Sequence, residues 1–311
     1  MPELRIPIIG IETACASGGS ALYQALMSLA KFRFIMVIGV EKMSNVDSAK
    51  ATMNISAAGD RILDQNEGLT FPASYALIAQ QHMLKYATTL DDLALVSLKN
   101  HENGNLNEFA HFYYKKVDME MIRNSPIICS PLRLFDCSPI SDGAAALIVS
   151  REKKTERDIK VIASALATDY ISPVQRKDLT SFKATKIAAN EAYTQAKIDV
   201  QEINIVEVHD CFTIAELIAM EDLGFCSPGE SKNFVREGRT KLDGDIPINT
   251  DGGLKADGHP IGASGIAQVY EIVTQLRGEA GERQLKNPEV ALTHNIGGIG
   301  GTAVIHIFRR S

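Results

Sequence analysis

The segment Glu12-Thr13-Ala14-Cys15-Ala16-Ser17-Gly18-Gly19-Ser20, ETACASGGS, sets a thiol between the apolar run IPIIGI and the apolar-periodic ALYQALMSLA. A cysteine where a helix begins feels the positive end of the helix dipole and unpaired N–H groups, and both favour thiolate. Small neighbours leave the sulfur reachable by a bulky acyl group. The same residues also read as tight packing around a core cysteine, and the segment alone leaves both readings open. A second cluster, EVHDCFTIAE, brings His209, Asp210 and Cys211 together where the apolar run INIVEV ends. A thiol with an ordinary pKa of ~8.5 can carry a proton beside an imidazole. The plainer reading makes Asp210 a helix cap and Cys211 filler. GGLKADGHPIGASG places His259 among glycines that let backbone approach a ligand, where an imidazole can take a proton or donate to an oxyanion. THNIGGIGGTA offers backbone N–H groups for an oxyanion nest. No helix, further strand and ribose-binding acid follow that run, so a dinucleotide-binding fingerprint is rejected, and His294 is expected to be structural.

Elements that position these residues follow from the apolar patterning. IPIIGI reads as a buried strand, GGSALYQALMSLAKF as the helix after it and FIMVIGVE as the next strand. From about Ser44 to Pro126 the texture turns polar and rich in Asn and Met, with one convincing helix, PASYALIAQQHMLKY, as expected of an inserted loop domain or lid. DGAAALIVS restores strand character and the charged REKKTERD reads as a link. The second half repeats the theme: strand IKVIASALA, helix KATKIAANEAYTQAKI, strand INIVEV, helix FTIAELIAMEDLG, helix GASGIAQVYEIVTQLRG, and two strands around a glycine turn in VALTHNIGGIGGTAVIHIF. Such alternation predicts an α/β fold with mostly parallel sheets covered by helices.

The 311 residues are 45% apolar, enough for a large core and about two domains. With 32 basic and 38 acidic residues the net charge is −6, and no basic run suggests a nucleic-acid partner. No apolar run approaches the ~18 residues that span a bilayer, and MPELRIPIIG is too short and acidic for a signal peptide. The five cysteines are scattered without a C-x-x-C pair, so neither a disulfide framework nor a zinc site is expected. The composition predicts a cytosolic protein without a membrane span.

Taken together, TACASGG, SPISDGAAALIVS, HDCF, GHPIGASG and NIGGIGG resemble the thiolase superfamily across essentially the whole sequence. HDCF at residues 209–212 is similar to the sterol-carrier-protein-type and archaeal-like thiolases, where biosynthetic thiolases have N-E-A-F. The resemblance implies a thiolase fold: two similar βαβ-type halves in a layered αβαβα arrangement. Residues 1–43 and 127–151 would form the first half, 44–126 the loop domain that helps bind CoA, and 156–311 the second half. It implies reversible Claisen condensation or thiolytic cleavage of 3-oxoacyl-CoA, as in acetyl-CoA acetyltransferases and 3-ketoacyl-CoA thiolases. CoA and acyl-CoA would be substrates, with no permanently bound cofactor and no metal.

Residue by residue, Cys15 matches the acyl-carrying nucleophile and His259 the histidine that activates it and later holds the enolate oxygen. His209 sits where the N-E-A-F asparagine orders a water in the first oxyanion hole. The backbone N–H groups of Cys15 and Gly297 match the second hole. The acid/base cysteine of the family's C-x-G loop is Asn295 here, and Cys211 is expected to take that role. Family members normally carry a strand–helix–strand portion ahead of the nucleophile strand, and this sequence is expected to lack it, exposing apolar sheet edges. The resemblance further implies a homodimer or homotetramer, and admits a hydroxymethylglutaryl-CoA synthase and a small OB-fold protein as partners. Two rivals stand beside this reading. A β-ketoacyl synthase-like enzyme would use Cys-His-His, against which HPIGASG and the Cys15/Cys211 pair weigh. A non-catalytic scaffold or CoA-binding subunit is the second rival, in keeping with the expected short front; a structural oligomerisation role alone would not need both cysteines and His259.

Overall fold

The structure, a computed structural model, describes residues 6–310; Met1 to Arg5 and Ser311, at the outer ends of the two expected halves, lie outside the described residues. Helix α1 (Ser17–Ser28) leads to strand β1 (Phe34–Glu41), followed by α2 (Ser48–Ser56), α3 (Phe71–Tyr86), α4 (Leu90–Gly104) and α5 (Met119–Arg123). The short strands β2 (Ile127–Cys129) and β3 (Leu132–Arg133) precede β4 (Gly143–Ser150) and β5 (Ile159–Thr168). Then come α6 (Lys183–Ala196), β6 (Ile205–Glu207), α7 (Thr213–Asp222), α8 (Ser231–Arg236), α9 (Gly253–Ala256) and α10 (Ile261–Arg277). The hairpin β7 (Val290–Gly297) and β8 (Thr302–Arg310) closes the described chain.

Two sheets sandwich a helical layer. The larger has the order β5-β8-β7-β6, with α6 against one face. On its other side lie α1 and α10, which also cover the β1–β4 ribbon. Leu22, Ala25, Val37, Val149, Ile266 and Ile272 make the core between ribbon and helices. The outer face of the ribbon, Phe34, Met36, Ile38 and Val40 opposite Ile148, is exposed. The layers among the described residues therefore run α-β-α-β, and no described helix covers that last face.

Three sequence expectations change. IPIIGI is not a buried strand: Ile6 to Ile11 have no strand geometry, and Ile6, Ile8 and Ile9 are 62%, 88% and 63% exposed. An apolar run becomes a strand only where a ladder partner meets it, and none does among the described residues. The sheets are not mostly parallel either. Among the described strand pairs only β6–β7 is parallel, while β5–β8, β7–β8, β1–β4 and β2–β3 are antiparallel. The turn between β7 and β8, with Gly298 at φ 62° and Gly300 at φ 81°, is too short for anything but a hairpin. The 44–126 stretch holds more than one helix. Helix α4 is opened by a capping box in which Thr89 and Asp92 satisfy each other's backbone N–H groups, a T-x-x-D signal visible in the sequence.

No described helix is long and apolar enough to cross a membrane.

Candidate active site

Cys15 stands one residue before the N-cap of α1, on a bend made by local polar bonds. Ser17 Oγ donates to the carbonyl of Ala14 at 2.6 Å and accepts the N–H of Thr13 at 3.0 Å, while Glu12 Oε1 takes the N–H of Ala14 at 2.6 Å. Ala14 itself has φ 53°, a left-handed conformation that an L-residue adopts at a cost of about 1–2 kcal/mol. The backbone N–H of Gly298 and that of Cys15 itself both favour the ionised sulfur. The amide that reaches the Cys15 sulfur is Gly298's, next to Gly297, which pairs with Thr302 at the end of the β7–β8 ladder. Glycine at 298 supplies the left-handed turn that aims this amide at the thiol.

His209 follows β6 and His259 precedes α10, and their rings meet edge to face with centroids 5.1 Å apart. The Cys15 sulfur and a ring nitrogen from each histidine lie within 4.8 Å of one another, all three side chains buried. Among the described residues this is the one trio with metal-ligand spacing. It is equally a nucleophile with two imidazoles beside it. Asn295, near the end of β7, ties the trio to the backbone: its Nδ2 donates to Cys15 O and contacts His209 Nδ1, each at 3.1 Å. Its Oδ1 accepts the N–H of Gly19 at 3.1 Å. A Cβ on Gly265 of α10 would collide with that same Oδ1, so only glycine lets the helix come this close.

The charge states differ from the sequence expectation. Burial pushes the Cys15 thiol up to about 12, overriding the opposing amides and the helix terminus. Burial likewise pulls His259 down to about 4, so the resting pair is neutral thiol and neutral imidazole. Such a thiol needs a base. Ser264 Oγ lies 2.7 Å from His259 Nδ1 and donates its own hydrogen to Pro260 O at 3.1 Å. With that hydrogen committed, the serine oxygen accepts from Nδ1–H and leaves Nε2 with a free lone pair. His209 is held neutral too, chiefly by burial and then by His259 and His294. Cys211 is buried and its thiol raised well above the ordinary range by burial and by Cys15, with the Tyr75 hydroxyl acting against them. The sequence expectation of a Cys211 thiol close to neutrality is therefore corrected to one that rests protonated.

Several residues escaped sequence reasoning. Asp210 does not cap α7. It accepts the N–H groups of Leu254 and Lys255 at 2.7 and 3.3 Å and the Asn100 amide at 2.7 Å, lashing the HDCF turn to α4 and α9. Tyr75, from α3, stacks on Phe212 at 4.5 Å between centroids and reaches Cys211 with its hydroxyl. Neither Ser264 nor Tyr75 carries a local mark, since each acts on a residue chosen by the fold. His294 bonds Thr185 Oγ1 through Nε2 at 2.9 Å and is not one of the trio, though it acts on the charge of His209.

Residues 2–153 match the family model described as thiolase, N-terminal domain, and 165–310 match the thiolase C-terminal domain-like model. An acetyl-CoA acetyltransferase of Methanothermobacter thermautotrophicus is 49% identical over 98% of this chain and 80% of its own length. Sterol carrier protein 2 of Bos taurus is 33% identical over 98% of this chain and 59% of its own. Among solved structures, an Ltp2-ChsH2(DUF35) aldolase superposes with a TM-score of 0.83 at 25% identity, over 94% of this chain and 78% of that one. Two family models that between them take in nearly every residue, and a fold of two sheets around a shared helical layer, lead to one conclusion: the chain belongs to the thiolase family.

Proposed function

We propose that Cys15 is the acyl carrier of an acyl-CoA C-acyltransferase that reversibly condenses two acyl-CoA molecules or cleaves 3-oxoacyl-CoA with CoA. The observation that carries this reading is the approach of Cys15, His209 and His259 to within 4.8 Å in a buried site. His259 Nε2 takes the thiol proton as the sulfur attacks the thioester carbonyl. The amides of Cys15 and Gly298 stabilise the oxyanion, and CoA leaves as a thiol carrying the proton back from His259. A second acyl-CoA then loses an α-proton to Cys211, whose own proton has first passed to His259 Nε2, and Tyr75 supports the thiolate. The enolate oxygen is held by His209 and by the proton now on His259 while its carbon attacks the acyl-cysteine. Collapse of that adduct frees the Cys15 thiolate, which takes the proton from His259, and releases 3-oxoacyl-CoA.

CoA and acyl-CoA are the only reactants this scheme requires, and residues 44–126 are the segment expected to help bind CoA. The reading extends to a place in lipid and fatty-acid metabolism and to a cytoplasmic protein. A homodimer or homotetramer is supported by the exposed apolar ribbon face of Phe34, Met36, Ile38, Val40 and Ile148, which a second copy would cover. The reading extends to an OB-fold partner, alone or with a hydroxymethylglutaryl-CoA synthase; the two-component name of the Ltp2-ChsH2(DUF35) aldolase supports a partner protein of some kind.

Intact-mass spectrometry tests the core of the proposal. Incubation with acetyl-CoA should add one acetyl group, and Cys15→Ala should abolish the adduct. An unmodified wild-type chain that still binds CoA would favour a scaffold role instead.

A further inference from the structure

Asn295 is fixed by two backbone groups whose roles admit no choice. An N–H only donates, so the atom facing Gly19 N must be the amide oxygen; a carbonyl only accepts, so the atom facing Cys15 O must be the amide nitrogen. That same nitrogen lies 3.1 Å from His209 Nδ1. Because an amide nitrogen cannot accept, Nδ1 must be bare and the hydrogen of the neutral ring must sit on Nε2. His209 Nε2 is buried and has no hydrogen-bond partner. A buried N–H without a partner is costly, and its place beside Cys15 and His259 makes an incoming oxygen its natural acceptor.

We propose that Asn295 is a positioning residue that locks His209 in its Nε2–H tautomer, so that the site presents a neutral hydrogen-bond donor for a substrate carbonyl or enolate oxygen. His259, whose Nδ1 faces Ser264, is held in the opposite tautomer, so adjacent rings act as donor and base. The cysteine of the C-x-G loop, the expected acid/base in other thiolases, gives way here to an amide that cannot exchange protons but can dictate where a neighbour keeps its own. With a hydrogen on Nε2 and Nδ1 accepting from Asn295, neither His209 nitrogen offers the bare lone pair that metal coordination needs, which turns the Cys-His-His trio against a metal. The catalytic consequence rests on the acyltransferase reading; the tautomer itself does not.

The test is nitrogen NMR on histidine-labelled enzyme, with the His209 ring assigned by its loss in His209→Gln. Wild type should show a pyrrole-type Nε2 and a pyridine-type Nδ1. In Asn295→Asp the carboxylate accepts instead of donating, so the pattern should reverse. The condensation kcat of the variant should fall roughly 10²–10³-fold, the usual loss of one oxyanion donor. A wild-type ring with its hydrogen on Nδ1 would overturn the proposal, and that measurement decides even if the variant misfolds. An unchanged tautomer in a folded Asn295→Asp enzyme would overturn it as well. Absence of any acylation in wild type would sink the acyltransferase reading while leaving the tautomer result standing.

Discussion

Cys15 and Cys211 both sit where an apolar segment gives way to a helix, yet the chain holds them by different means. The Cys15 elbow is shaped largely by its own neighbours: Glu12, Ser17 and a left-handed Ala14 bend the backbone, with Asn295 and the Gly298 amide reaching across from the second half. The Cys211 elbow follows β6 and is held from several sides. Asp210 ties it to α4 and α9, the Cys211 carbonyl accepts from Ser138 N at 2.9 Å, and Tyr75 comes from α3. In the proposed reaction the locally strained bend carries the thiol that accepts and surrenders an acyl group, and the cross-braced elbow fixes the thiol that moves a proton.

Removing each thiol separates the two roles most sharply. Cys211→Ala should leave acetylation of Cys15 intact and lower condensation by about 10²–10⁴-fold, the usual contribution of a positioned acid/base. The readout is acetyl mass on Cys15 beside the rate of acetoacetyl-CoA formation. Condensation at the wild-type rate would move the proton transfer elsewhere. Loss of acetylation as well would mean the two elbows are not functionally separate.

The bracing itself should show in stability. Asp210→Ala strands the N–H groups of Leu254 and Lys255 in a buried region and leaves Asn100 Nδ2 only its bond to Glu216, and should cost roughly 3 kcal/mol in denaturant unfolding. Ser17→Ala, a change in the locally built elbow, should cost about 1 kcal/mol. Equal losses would erase the contrast. This contrast also marks what could be read in advance. The four glycine- and cysteine-bearing segments were legible because their residue types are unusual at short range, and most helices because their apolar periodicity is local. Asp210 looked like a cap, since Asp before a helix normally is one; its real partners lie on α4 and α9, brought near only by folding. IPIIGI read as a strand because apolar runs usually find a partner, but pairing is decided by what stands alongside. The thiol charge states were misjudged for the same reason: a helix terminus is visible in sequence, whereas complete burial is a property of the assembled site.

Burial leads to a pH prediction for Cys15. A thiol raised to about 12 has a thiolate fraction that climbs with pH through the whole neutral range, because deprotonation is far from complete. His259 at about 4 stays neutral over that range and adds no step of its own. Iodoacetamide labelling of Cys15, followed by mass spectrometry from about pH 6 to 9, should therefore accelerate about tenfold per pH unit. A rate that levels off near neutrality would show a stabilised thiolate–imidazolium pair instead, and would give the helix terminus the upper hand over burial.

The smallest effect concerns the strain in the first elbow. Ala14 at φ 53° carries about 1–2 kcal/mol that glycine would not, against an added unfolded-state entropy of about 0.4–1 kcal/mol. Ala14→Gly should thus stabilise the protein by roughly 0.5–1 kcal/mol, seen as a higher denaturant midpoint at unchanged slope. The Cys211 elbow has no left-handed non-glycine residue from Val208 to Phe212, so glycine scanning there should only destabilise. The interesting measurement is what the relieved elbow does to chemistry. Should Ala14 hold Cys15 against the Gly298 amide, the more stable variant will acetylate more slowly; an unchanged rate would mean that Asn295 and the packing of α1 against α10 position the sulfur without help from the strained bend.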